Sequence, residues 1–212
     1  MKQLVLILVA AFATATLQAQ GLRDIKLNQP NKDRGASLMK ALDDRKSVRA
    51  FSDKQLSDQD LSDLLWAANG VNRPDGRRTA PTARNNNDID IYLVTSEGIY
   101  LYVPVGHELQ PVVAGDFSAM IADNQEFAKE APVYVLIVSD YARFTGLPEA
   151  TQKQFGALDA GMVSQNISLF ASSCGFVTVP RAFMQRDKLK EALKLKDSQE
   201  VLLNHPIGYP KQ

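Results

Sequence analysis

Apolar residues along this chain change their spacing several times, and each change marks an element. Over residues 35–45, Leu38, Met39 and Leu42 recur at three and four positions, which predicts a helix. A stronger helix starts at Ser57, whose hydroxyl can cap it. Asp60 sits three residues on, Leu61, Leu64, Leu65 and Ala68 line one face, and Gly70 ends it. Residues 89–95 read as a strand, Ser96-Glu97-Gly98 as a turn, and residues 99–103 as the returning half of a hairpin. Asp116 is placed to cap a helix holding Phe117, Met120 and Ile121. Residues 132–139 are a continuous apolar run, suited to a strand covered on both faces. Residues 155–174 carry the longest helical pattern. Leu158, Met162, Ile167, Leu169 and Phe170 spread around it, as in a central helix or one covered by a second subunit. Gly175 ends it. A strand at 176–179, a basic helix from Asp187 to Lys196 and a last strand at 200–203 complete the chain.

This order predicts an α+β domain, with a mixed, mostly antiparallel sheet and flanking helices. Residues 73–87 are rich in Arg, Asn, Thr and Pro and read as a loop. Residues 1–19 differ from the rest: a basic start, an uncharged apolar stretch from Leu4 to Leu17, and small Ala19 at a cleavage point. That is the layout of a secretory signal peptide. The stretch is about 14 residues, against roughly 20 for a membrane-spanning helix; a permanent N-terminal anchor is the alternative. The expected division is leader 1–19, arm 20–34 and domain 35–212, giving an exported, periplasmic protein free of the membrane after cleavage.

Composition narrows the chemistry. Lys plus Arg and Asp plus Glu number 24 each, so the chain lacks the positive excess of a general nucleic-acid or membrane-surface binder. The one cysteine, Cys174, has no intramolecular disulfide partner. The two histidines, His107 and His205, fit no metal-binding spacing, and no metal is expected. No nucleophile elbow, Walker or dinucleotide-binding glycine signature is present.

Three clusters remain. Arg45, Ser47 and Arg49 alternate along an extended segment, so they share a side and suit a phosphate dianion. A solvated basic helix end would look the same. The stretch from Arg77 to Asn87 holds small, hydroxyl and amide residues that can approach a planar ring closely; it also reads as a plain surface loop. Gly175 to Phe183 leaves the long helix and can present backbone N–H groups into a pocket, or simply connect two elements.

Together the clusters resemble the nitroreductase superfamily of flavoproteins. Arg45-x-Ser47-x-Arg49-x-Phe51 matches that family's opening motif. Pro81-Thr82-Ala83-x-Asn85-x-Asn87 is similar to its flavin loop, with Asn87 in place of the usual Gln. Leu158-Asp159-Ala160-Gly161-Met162 looks like its dimer-core helix, and Gly208-Tyr209-Pro210 like its ending. The stretch from Leu65 to Pro81 looks closest to the branch related to azoline-oxidising dehydrogenases.

The resemblance implies a three-layer sandwich, an intertwined homodimer and FMN at the subunit interface. Carried over by position, Arg45, Ser47 and Arg49 hold the phosphate and ribityl chain, with Lys211 adding to the phosphate site. Pro81, Thr82, Ala83 and Asn85 reach the flavin from the other subunit. Asn124 or Gln125 contacts the pyrimidine edge, and Pro180, Arg181 and Ala182 lie beside the ring. Hydride passes through flavin N5 to or from a small nitro, quinone or similar substrate, so no catalytic side chain is required. NAD(P)H is the family's expected donor, although export would place the enzyme where it is scarce. Arg78 or Arg84 is expected to favour an acidic substrate or the flavin phosphate, unless both are merely solvated. An exported flavin carrier without turnover, and a cofactor-free scaffold, are the other readings.

Overall fold

The computed structural model describes residues 21–211; the expected leader at 1–19 lies outside the described residues. Elements in chain order are β1 (Ile25–Lys26), α1 (Leu38–Asp44), α2 (Asp58–Asn69), β2 (Ile89–Val94), β3 (Gly98–Val103) and β4 (Glu108–Ala114). They continue as α3 (Ser118–Ala122), β5 (Val133–Asp140), α4 (Glu149–Cys174), β6 (Val177–Thr178), α5 (Arg186–Ala192) and β7 (Gln199–Gly208). One seven-stranded sheet runs β1-β4-β3-β2-β5-β7-β6, antiparallel at every pairing.

Strand β5 is buried along its whole length and lies between β2 and β7. Its side chains alternate between two cores, as the pleat requires. Val133, Val135 and Ile137 face α2 and α4, where Leu64, Leu65, Ala160, Val163 and Ile167 meet them. Tyr134, Leu136 and Val138 face the other way, toward Phe117 and Ile121 around α3 and Leu189 of α5. The result is three layers, helix, sheet and helix, as expected. The capping box of α2 forms as read, with Ser57 and Asp60 bonding each other's backbone. Gly175 closes α4 in the left-handed conformation, at φ 78°.

Several boundaries differ from expectation, each for a local reason. Helix α4 starts at Glu149, two turns before the pattern at Phe155, because its first turns are polar and solvent-facing. Strand β4 was not expected; Pro111 breaks its signature. The sheet accepts that proline at a register shift opposite Ile99 and Tyr100, beyond the short β1 pairing at Glu108 and Leu109. Strand β7 runs to Gly208 through Pro206, whose carbonyl accepts the Thr178 hydroxyl at 2.8 Å. Strand β6 shrinks to two residues. Phe117, not Asp116, is the N-cap of α3, although Asp116 still accepts the Ser118 N–H at 2.8 Å. Helix α5 has Gln185 as its N-cap and ends at Ala192, so Asp187, expected to open it, lies in its first turn.

The polar arm is also structured. Arg34 donates to Asp63 at 2.7 Å and to Asp60 at 2.9 Å. Burial works against its charge, but these two carboxylates outweigh it and raise its pKa. Tyr209 donates to Asp60 at 2.9 Å, so the arm, α2 and the end of the chain share one buried carboxylate.

Helix α4 packs tightly against β5 at Gly156. A Cβ there would sit 2.5 Å from Ser139 Oγ and 2.7 Å from Tyr141 Cε1. Gly156→Ala is expected to lower stability by about 1–3 kcal/mol through overpacking. The gain of about 1 kcal/mol in helix propensity offsets part of this. Thermal melting checks it; a raised melting temperature would show that α4 can back away freely.

Candidate functional site

The segment leaving α1 is extended, and its Val48 N–H donates to Thr178 O at 3.0 Å. Lys46 and Val48 line a small hollow against α4 and β6, while Arg45, Ser47 and Arg49 do not. The alternation expected from sequence therefore holds. Among the described residues, the side chains of Arg45, Ser47 and Arg49 have no hydrogen-bond or carboxylate partner; Arg49 only overlies the Phe127 ring, at 5.7 Å. Two unpaired guanidinium groups and a hydroxyl on one edge are what an anionic group needs. Lys211 follows Pro210, which bridges Phe51, and its ammonium reaches toward Glu130 at 3.4 Å.

Loop 81–87 carries a 3-10 turn, Ala83–Asn85. Pro81 and Asn85 are exposed. The Thr82 hydroxyl accepts the Asn87 N–H at 3.0 Å, and the Ala83 N–H donates to Asp159 of α4 at 2.8 Å. The four loop arginines separate by role. Arg73 bonds Asn72 and the Arg78 carbonyl, and Arg77 pairs with Asp75. Arg78 is turned inward onto the Ile89 carbonyl at 3.1 Å. That corrects the expectation for Arg78 as a substrate or phosphate ligand. Arg84 alone is exposed with no partner among the described residues.

Arg181 requires a second correction. Its N–H is bonded to Asn204 O at 2.9 Å, so it is not free to serve a ring. Its guanidinium is buried and points inward, donating to Gln125 Oε1 at 2.8 Å, Asn204 Oδ1 at 2.9 Å and the carbonyls of Ile121 and Ala122. Gln125 gives its Oε1 to Arg181, which leaves its amide N–H groups without an acceptor among the described residues, while Asn124 is exposed. Pro180 has no N–H to give. The Ala182 N–H meets no acceptor among the described residues, and Ala182 lines an open cleft of about 780 Å³ with Asp123, Phe183 and Met184.

Sequence reasoning missed what holds this strand in place. His205 is fully buried, with Ser164 Oγ 2.7 Å from Nε2 and Thr178 Oγ1 3.1 Å from Nδ1. The Thr178 proton goes to Pro206 O, so Nδ1 donates to Thr178 and Nε2 accepts from Ser164. His107 is fixed similarly between Ser62 at 2.8 Å and Tyr102 at 2.9 Å. Both histidines are structural. Asp88 and Asp159, also unforeseen as a pair, meet beneath the loop. Burial, then the neighbouring Asp159, pushes the Asp88 carboxyl up to about 7, although the Ser139 hydroxyl works the other way.

Arg45, Ser47 and Arg49 thus form an edge open to an anionic group, and both histidines have their ring nitrogens bonded. The comparisons then identify the family. The nitroreductase family model matches residues 42–209, and the chain belongs to that family. A protein of Methanocaldococcus jannaschii that carries the nitroreductase name is 30% identical over 173 residues, 77% of this chain and 86% of the relative. A crystal structure from Ralstonia eutropha JMP134, also described as a nitroreductase, superposes with a TM-score of 0.85 at 35% identity, covering 90% of this chain and 91% of that one. The microcin synthetase complex of E. coli, bound to its truncated precursor, is similar in fold alone. Its TM-score is 0.69 at 16% identity, covering 88% of this chain and 78% of that one. These matches do not place the chain in the azoline-oxidising branch. Membership supports an oxidoreductase, in a family that generally uses flavin and typically forms homodimers.

Burial pushes the His205 pKa down to about 3. The unfolded chain binds this proton near pH 6.5 and the folded chain does not, so stability falls as pH drops from about 6.5 toward 3. The loss is about 1.4 kcal/mol per pH unit in that window. His205→Gln is expected to flatten the fall in melting temperature between pH 7 and pH 4. Parallel curves for the two proteins would remove His205 as its source.

Proposed function

We propose that this protein is an FMN-dependent oxidoreductase that acts as an exported homodimer on a small nitro, quinone or similar acceptor. The observation that carries the reading is the partnerless edge of Arg45, Ser47 and Arg49, in a chain of this family. The residues fit the group: two guanidinium groups and a hydroxyl suit its phosphate, and the open Ala182 N–H suits a ring-edge acceptor. When bound, FMN supplies hydride transfer at N5.

In this reading Arg45, Ser47 and Arg49 bind the phosphate and fix the register of the ring. Ala182 orients the ring edge through its N–H, and Asn124 contacts the pyrimidine side. Pro81, Thr82, Ala83 and Asn85 come from the partner copy. Four exposed apolar residues support the second copy: Leu38 at 64%, Met39 at 75%, Leu158 at 54% and Met162 at 45%. Gly161, with open space where a Cβ would sit, lies between the last two on α4. Apolar surface of this kind on a helix favours burial by another subunit. Export follows from the leader pattern and requires an electron donor available outside the cytoplasm, or NAD(P)H supplied there.

The test uses protein starting at residue 20, loaded with FMN and freed of excess. Absorbance bands near ~450 nm that bleach anaerobically with NADH or NADPH are the expected result. Bound flavin that does not bleach with these or with a dye reductant would favour the carrier. Arg45→Ala and Arg49→Ala are each expected to weaken FMN binding about 10- to 100-fold, the worth of a charge-assisted hydrogen bond. No bound flavin in the parent protein, or unchanged affinity in both variants, overturns the proposal.

A further inference from the structure

Loop 81–87 holds a demanding backbone. Arg84, Asn85 and Asn87 have φ values of 56°, 57° and 49°, and none is glycine. Such conformations cost energy and persist where the surroundings enforce them. The enforcement comes from below. The Ala83 N–H donates to Asp159 Oδ2 at 2.8 Å, and the Asn87 carbonyl accepts from Arg143 at 2.6 Å. The chain then enters Asp88, which is wholly buried.

Asp88 Oδ2 accepts the Ser139 hydroxyl at 2.6 Å, whereas buried Oδ1 has no donor. The Asp159 carboxyl, itself 2% exposed, adjoins this pair: Gly156, one turn before it on α4, packs against the same Ser139 hydroxyl, and Asp159 raises the Asp88 pKa as a neighbouring carboxyl. The charged neighbours make their bonds elsewhere, although the Arg78 charge still acts on Asp88 from a distance. Arg78 bonds the Ile89 carbonyl, and Arg143 pairs with Asp90 and Asp140. Tyr141 donates to Glu200 at 2.9 Å, and Ser198 donates to Asp140 at 2.8 Å. Exposed Arg84 has no bond to either carboxyl. Two carboxyl groups side by side, buried and without a bonded cation, cannot both stay ionised. A single proton between them supplies the donor that Oδ1 lacks and leaves Asp159 Oδ2 free for Ala83.

We propose that Asp88 and Asp159 share one proton, and that this bond latches loop 81–87 in its strained form, making Asp159 a positioning residue for the flavin. The loop's contact with flavin rests on the function proposed above; the latch does not. Losing the shared proton sets two like charges together and pushes Asp159 away from Asp88, carrying Ala83 with it. The latch therefore opens as pH rises through about 7, the direction in which burial and Asp159 displace the Asp88 titration.

Asp159→Asn tests this without emptying the site. Its amide can donate to Asp88 while its oxygen still accepts from Ala83, so the variant mimics the protonated pair at every pH. Amide exchange of residues 83–87 is measured in the flavin-free protein from pH 6 to 9 and corrected for intrinsic rates. FMN affinity is titrated over the same range. The parent protein is expected to lose protection, and about 10-fold in affinity, across that range, as one unit of coupled titration gives. Asp159→Asn is expected to stay flat in both, and Asp159→Ala to leave the loop unprotected at all pH values. Equal pH profiles for the parent and Asp159→Asn, or protection retained in Asp159→Ala, overturn the latch. If exchange behaves as expected while FMN binds no variant, the latch stands and the flavin reading fails.

Discussion

Burial of β5 on both faces is the constraint on which the molecule depends. All eight residues are buried, so every side chain must find partners and every backbone group must be bonded within the sheet. That demand fixes β2 and β7 as its neighbours, α2 and α4 above one face, and α3 and α5 below the other. The proposed ligand groups then sit where the layers end. Arg45 to Arg49 leave α1 beside β6, and Pro180 to Ala182 leave β6 to cross β7 at the Arg181–Asn204 bridge. Pro81 to Asn87 run directly into β2.

What the sequence made legible were features with short-range causes. A capping serine with an acidic residue three positions on, a turn between two alternating runs and a glycine after a long helix each act over a few residues. All three are present as expected. The illegible parts depend on distant partners. Strand β4 exists because β3 offers it a ladder, which outweighs Pro111. The exposed opening of α4 has no apolar period to read. The alternation of Arg45, Ser47 and Arg49 was legible because it follows from local extension. The inward turn of Arg181 was not, since its acceptors lie on α3, Gln125 and β7. Asp88 and Asp159 are 71 positions apart and carry no local sign of meeting.

Part of the polar interior is made of neutral contacts in which every donor and acceptor is assigned. His205 and His107 each have both ring nitrogens engaged by hydroxyl groups. Such networks specify one packing of the chain, because any slip leaves a polar atom unsatisfied in a low-dielectric setting. The His205 network lies under β6, which leads to Pro180 and Ala182. Rigidity beneath and open backbone above is the division of labour a ligand-binding rim requires.

Arg181 gives this rim an electrostatic character of its own. Its guanidinium is buried and bonded to two side-chain amide oxygens and two backbone carbonyls, with no bonded carboxylate among the described residues. Arg45 and Arg49 lie nearer solvent, where dissolved ions gather around them and mute their field beyond about 8 Å at physiological salt. Salt cannot surround Arg181 in the same way. The protein thus has two kinds of positive charge: one that fades as ionic strength rises, and one set by the fold that persists in brine as in dilute buffer.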